Sequence, residues 1–153
     1  MGLFNFIKTA GQKIFKNKKA EEQTTEEDKH VAAQELLDYI KTLGFDVAKL
    51  RVAVLGDTVT VSGEVETQEA REKIILAVGN VEGVGVVNDE FTVAEVKEPA
   101  QFYTVVAGDT LSKIAKNTLG NANSYMVIFE ANKPMLEHPD KIYPGQVLRI
   151  PTV

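Results

Sequence analysis

Between Arg51 and Val93 the apolar residues change their period twice. Val52 and Val54 alternate, as do Val59 and Val61, with Gly56 and Asp57 between the pairs. Period two on both sides of a Gly-Asp turn predicts a hairpin. Thr67 then stands before EAREKIILAV, which reads as a helix capped by Thr67 and ended by Gly79. After the glycine-rich stretch LAVGNVEGVG, alternation returns in VVNDEFTV and predicts another strand. Upstream, Thr24 or Thr25 with Glu27 and Asp28 is a helix start of the capping-box type. That helix carries Val31, Leu36, Leu37 and Ile40 and stops near Gly44. The order helix–strand–strand–helix–strand predicts a small α+β unit with its helices on one face of the sheet.

A second pattern follows the short linker EVKEPAQ around Pro99. Strand-like runs open and close the stretch that starts at Phe102 and ends in VLRI. Asp109 is expected to cap a helix bearing Leu111, Ile114 and Ala115, closed by Gly120. Asn123 is expected to open a further helix bearing Met126, Val127 and Phe129, which ends before Pro134. Tyr143-Pro144-Gly145-Gln146 reads as a turn. The order is strand–helix–helix–strand.

The N-terminal residues form a third pattern. Leu3, Phe4, Ile7, Ala10, Ile14 and Phe15 recur at helical spacing, with Gly11 as a C′ glycine or a kink. Lys8, Lys13, Lys16, Lys18 and Lys19 make this segment basic. A basic amphipathic helix lies on an anionic membrane or packs on its own protein. Packing is the expectation, because the acidic run at Glu21, Glu22, Glu26, Glu27 and Asp28 would oppose an anionic surface. Residues 17–24 read as a flexible joint.

Composition excludes several functions. A net charge of −5 argues against nucleic acid as a partner. With no cysteine, disulfides and thiolate metal sites are ruled out, and His30 and His138 make a poor zinc pair. No apolar run approaches the length of a membrane span. The N-terminus lacks the features of a secretory signal, and Phe6 stands where a myristoylation motif wants Ser or Thr. The expected location is the cytoplasm. No nucleophile–base pair or phosphate-cradling loop stands out, so the expectation is a non-enzyme.

Residues 59–93, with their Ser-Gly-Glu-Val corner and Gly-Val-x-x-Val-Asn run, resemble the BON domain. Residues 102–151, with YTVVAGDTLSKIA and IYPGQVLRIP, resemble a LysM domain. One BON and one LysM domain behind MGLFNF resemble the small bacterial potassium-binding proteins of the Kbp family. The resemblance divides the chain into a BON domain at 1–97, N-terminal helix included, and a LysM domain at 98–153. It implies a monomeric cytoplasmic protein that binds K+ selectively, as a sensor or buffer, and changes its BON–LysM arrangement on binding. It implies no stable membrane association.

The glycine loop suits that implication. Potassium is well held by backbone carbonyls, whereas calcium and magnesium prefer carboxylates. LAVGNVEGVG offers one acid, Glu82, but a carbonyl at every residue. It also follows a helix C-terminus, where unpaired carbonyls concentrate negative charge. The expected ligands are the carbonyls of Gly79, Asn80, Val81 and Val84, joined by those of Ile7 and Ala10. Such a cage should accept Rb+ or Cs+ in place of K+. From the residues alone, Gly79 as a C′ residue, Gly83 in a turn and Gly85 at a bulge are the preferred reading, because glycine clusters between helix and strand are common. The LysM resemblance implies an alternative, a groove for peptidoglycan or other N-acetylglucosamine polymers. It would be formed by Gly108, Asp109, Thr110 and Leu111 with Ala131, Asn132, Lys133, Pro134, Ile142 and Tyr143.

Overall fold

The computed structural model describes residues 2–7, 9–11, 13–14 and 26–151. Its elements are β1 (Gly2–Asn5), α1 (Glu26–Thr42), β2 (Ala48–Leu55), β3 (Thr58–Thr67), α2 (Gln68–Gly79) and β4 (Val86–Glu95). They continue with β5 (Gln101–Thr104), α3 (Leu111–Leu119), α4 (Tyr125–Ala131) and β6 (Val147–Ile150). The chain is a mixed α+β protein, with both expected element orders present.

The first unit is a four-stranded sheet in the order β1-β4-β3-β2. The hairpin forms as the alternation predicts, with Leu55 opposite Thr58 across Gly56 and Asp57. β3 and β4 run parallel, so a crossover must join them, and α2 is that crossover. Thr67 caps α2 through its side chain, which accepts from the Ala70 N–H. Leu36 and Ile40 of α1 pack with Val59, Val61, Ile74, Ile75, Val78 and Val87 into one core.

The N-terminal helix is corrected. Residues 2–5 are a strand, antiparallel to β4, with Leu3 opposite Asn88 and Phe4 opposite Val87. Over so short a run a second period is present as well, with Phe4 and Phe6 alternating as a strand requires. Phe4 and Phe6 face the core, whereas Leu3 is 68% exposed. The open edge of β4 decides the outcome, because a strand pairs its backbone groups and a helix would not. Gly11 is therefore not a helix terminus; it stands at φ +122 in a turn. The Thr24 or Thr25 cap, the joint at 17–24, Phe15 and Lys8 lie outside the described residues.

In the second unit, β5 and β6 pair antiparallel and α3 and α4 cover them. Two caps differ from expectation. Thr110, not Asp109, caps α3, accepting from the Lys113 N–H, because its hydroxyl sits one residue nearer the first turn. Ser124, not Asn123, stands before α4, with no side-chain cap bond; ahead of it the Asn121 side chain accepts from the Asn123 N–H and starts a 3₁₀ turn at Ala122–Ser124. Gly120 closes α3 at φ +80, as expected.

The two cores share one helix. Ile74, Ile75 and Val78 of α2 belong to the first, and Leu76 and Ala77 to the second. A helix buried all round its last two turns has little amphipathicity, since partners cover both faces. Phe6 and Tyr39 touch both cores, and the ring of Phe4 meets that of Phe102 edge-on at 5.7 Å.

Candidate functional site

α2 ends at Gly79, and three other segments meet it there. Asn80 caps the helix, its N–H reaching the Leu76 carbonyl at 2.9 Å. The chain then turns through residues 81–85. Val81 and Val84 are fully buried in the first core and pin the loop down. The Val84 N–H donates to the Val81 carbonyl at 3.1 Å, and Gly83 takes φ +98, a conformation that favours glycine. The Gly85 N–H donates to the Asp57 carbonyl at 2.8 Å, fastening the loop to the β2–β3 turn.

The N-terminal segment crosses this loop. The Phe6 N–H donates to the Gly85 carbonyl at 2.8 Å. A Cβ on Gly79 would lie 2.1 Å from the Phe6 ring, so the ring rests on the bare Cα. A Cβ on Gly11 would lie 2.1 Å from the Asn80 carbonyl oxygen. Glycine at position 79 admits a side chain, and glycine at position 11 lets two backbones come together. From the second unit, the Tyr143 hydroxyl donates to the Asn80 carbonyl at 3.4 Å. Gly145 lies under Ala10 and Ile7, with a Cβ there 2.9 Å from the Ala10 methyl.

The described residues of 7–11, with 79–85 and 143–147, therefore surround the negative end of the α2 dipole. Ile7, Ala10, Gly79, Asn80, Val81 and Val84 all fall in the first two of these segments. The Ile7 carbonyl accepts the Ala10 N–H at 3.1 Å, and the Val81 carbonyl accepts that of Val84. Each carbonyl has two lone pairs, so one such bond does not exhaust it. Apart from Glu82 within the loop and the Asp57 carboxylate, which lies against Gly85, the oxygens gathered here are neutral main-chain carbonyls. Among the described residues no group of three or more His, Asp or Glu stands where it could hold a metal ion. That chemistry fits a weakly hydrated monovalent cation better than a divalent one. The contribution of residues 143–147 was not legible in the sequence, because a turn sixty residues downstream carries no local signal of what it touches.

The junction between the units is itself polar and buried. The Glu72 carboxylate accepts from Arg149 Nε at 2.9 Å and from the Ala100 N–H at 3.0 Å. Arg71 pairs with the fully buried Asp89 and reaches Gln68, which reaches Glu72 in turn. Burial, with the Tyr39 phenol close by, pushes Tyr143 up to about 12. Burial, and then the Glu137 carboxylate, also raises Tyr39.

The model of the BON domain matches residues 28–95, and that of the LysM domain matches residues 103–151. The chain is 48% identical over 152 residues to the potassium binding protein Kbp of Escherichia coli O6:H1 (strain CFT073), covering 99% of both chains. The chain belongs to the Kbp family. A protein of Deinococcus radiodurans described as uncharacterized is 49% identical over 49 residues, which cover 32% of this chain and 19% of that protein. BON and LysM are models of binding modules, and neither describes an enzyme. Among the described residues no helix is long and apolar enough to cross a membrane.

In this Kbp-family chain the LysM residues of the expected groove separate into two sets. Gly108, Asp109, Thr110 and Leu111 run into the N-terminus of α3. The Asp109 carboxylate accepts from the Val106 N–H and the Tyr103 hydroxyl, and both hold it below the usual carboxylate range. Thr110 and Leu111 line a cleft of about 450 Å³ with Tyr125, His138 and Asp140. Asn132 and Tyr143 do other work: Asn132 is buried and bonded to β6, and Tyr143 faces Asn80. Ala131 is buried, Pro134 and Ile142 are half-buried, and Lys133 is exposed with its ammonium over the Phe129 ring.

Proposed function

We propose that this chain binds a potassium ion where the 7–11 turn crosses the C-terminal end of α2. The carbonyls of Gly79, Asn80, Val81 and Val84, with those of Ile7 and Ala10, are the ligands we assign. The observation that carries this reading is the close approach of Gly11 to the Asn80 carbonyl at a helix C-terminus. The relative named a potassium binding protein, similar across 99% of the chain, supports it. Main-chain oxygens replace the hydration shell of potassium more readily than that of sodium, which is smaller and holds its water more tightly. Rb+ and Cs+ would substitute.

The protein would act in the cytoplasm as a monomeric potassium sensor or buffer. The BON domain, 1–97, and the LysM domain, 98–153, divide within the linker that Ala100 fastens to Glu72. Residues 143–147 belong to the LysM side and touch the ion loop, so a bound ion favours the docked arrangement over an opened one.

Thermal unfolding in buffer free of sodium and potassium tests this. Matched chloride salts of sodium, potassium, rubidium and caesium are then added. A ligand at a hundred times its Kd stabilises the folded state by about 2.7 kcal/mol. A midpoint raised by potassium, rubidium or caesium and not by sodium is the expected result. Equal curves in all salts would overturn the reading.

The cleft beside Thr110 and Leu111 favours a second reading, binding of an N-acetylglucosamine polymer by the LysM domain. Co-sedimentation with peptidoglycan, independent of the alkali ion present, is its test.

A further inference from the structure

We infer that Asn80 is the positioning residue through which the LysM domain sets the affinity of the ion loop; the inference rests on the potassium reading above. Asn80 does two things with two parts of itself. Its main-chain carbonyl lies against Gly11, within reach of the Tyr143 hydroxyl at 3.4 Å. Its side-chain amide is buried and bound at both ends to one residue of β6. Nδ2 donates to the Val147 carbonyl at 2.8 Å, and the Val147 N–H donates to Oδ1 at 2.8 Å.

β6 explains why an amide belongs there. In an antiparallel pair, alternate residues turn their N–H and C=O toward the partner strand. The Val105 N–H donates to the Gln146 carbonyl on the β5 side, so Val147 and Arg149 turn theirs away. Two asparagines complete that open edge. Asn132 Nδ2 donates to the Arg149 carbonyl at 2.9 Å, and the Arg149 N–H donates to Asn132 Oδ1 at 2.7 Å. Each amide imitates one residue of a neighbouring strand. Asn132 comes from the LysM domain itself. Asn80 comes from the BON domain and from the ion loop.

Holding the Asn80 side chain by two opposed bonds limits where its Cβ and Cα can lie, and so adds a restraint on the peptide planes on either side. Those planes carry the Gly79 and Asn80 carbonyls. If β6 leaves, Asn80 keeps its capping bond to the Leu76 carbonyl but loses the side-chain restraint, and two of the assigned ligands are aimed less tightly. Coupling of this kind is reciprocal: docking that tightens the ion must be tightened by it, to the same factor.

Isothermal titration of the full chain with potassium chloride, and with sodium chloride as control, tests the role. Asn80→Ala is compared with Asn132→Ala, which removes the same pair of bonds from the same strand. Asn80→Ala should raise the potassium Kd by about tenfold or more. Asn132→Ala should leave it within about twofold, however much the fold is weakened. If the wild-type chain shows no preference for potassium, the functional reading falls and this one with it. If wild type prefers potassium and the two variants bind it alike, only the role of Asn80 is overturned.

Amide exchange of the wild-type chain tests the same point without a substitution, should Asn80→Ala fail to fold. Potassium should slow exchange at the Val147 amide by about tenfold relative to the Arg149 amide. Equal slowing at both would overturn the inference.

Discussion

Along one edge of β6, Val147 and Arg149 receive the same two bonds from the same kind of side chain. The asparagine at Arg149 ends a helix of the LysM domain. The asparagine at Val147 ends a helix of the BON domain and begins the 80–85 loop. At Arg149 the arrangement finishes a small sheet whose edge would otherwise hold unpaired groups away from water. At Val147 it finishes the same sheet and joins two domains. Identical chemistry is structural at one position and informative at the other, because only one of the two backbones goes on to the candidate site.

Predictions that would break or sharpen this comparison can be ranked by size. The largest effect is expected at Glu72, which shares the junction with Asn80 but has no part in the 80–85 loop. Glu72→Ala leaves the half-buried Arg149 guanidinium without its carboxylate and the Ala100 N–H without its acceptor, and should cost about 3 kcal/mol in denaturant unfolding. Replacing both partners by apolar residues should restore much of that stability.

Gly11→Ala comes next. A methyl cannot stand 2.1 Å from the Asn80 carbonyl, and φ +122 is strained for any L side chain. The turn must lift from the loop, at about 2–3 kcal/mol, and the potassium-dependent rise in the midpoint should vanish with it. A retained rise would take Ile7 and Ala10 out of the ligand set.

Asn132→Ala strands an N–H and a C=O of Arg149 and should cost about 2 kcal/mol, read as a lower midpoint that potassium raises as far as in wild type.

The smallest effect at neutral pH is expected for Tyr143→Phe, which loses a long bond to the Asn80 carbonyl, about 0.5 kcal/mol. At high pH the variant separates from wild type. The folded Tyr143 phenol titrates at about 12, above its ordinary value of 10.0, so the folded chain holds this proton more tightly. The stability it contributes is whole below pH 10 and is lost as pH rises from 10 toward 12. Unfolding midpoints across that window should fall more steeply for wild type than for Tyr143→Phe.

Much of the fold was legible because local chemistry and tertiary outcome agree. The β2–β3 turn, the Thr67 cap and the Gly120 terminus follow from residues within four positions of one another. The N-cap positions at Thr110 and Ser124 were each missed by one residue, where neighbouring Asp, Thr, Asn and Ser all have capping oxygens and only backbone geometry chooses among them. The glycines of LAVGNVEGVG were legible as close-approach residues, but not what each approaches. Gly79 meets Phe6, from more than seventy residues away, and Gly85 meets Asp57.

The sequence by itself determined the two element orders, the turns and caps between them, and membership of a family, because these rest on periodicity and on short-range backbone chemistry. Only the tertiary structure decided that residues 2–5 form a strand, that α2 serves two cores, and that Asn80 is tied to β6. Each depends on a partner far along the chain: the open edge of β4, the apolar face of the LysM domain, and the outward N–H and C=O of Val147. Buried polar and apolar surface must find such partners to leave water, and a sequence read locally shows the demand without showing what meets it.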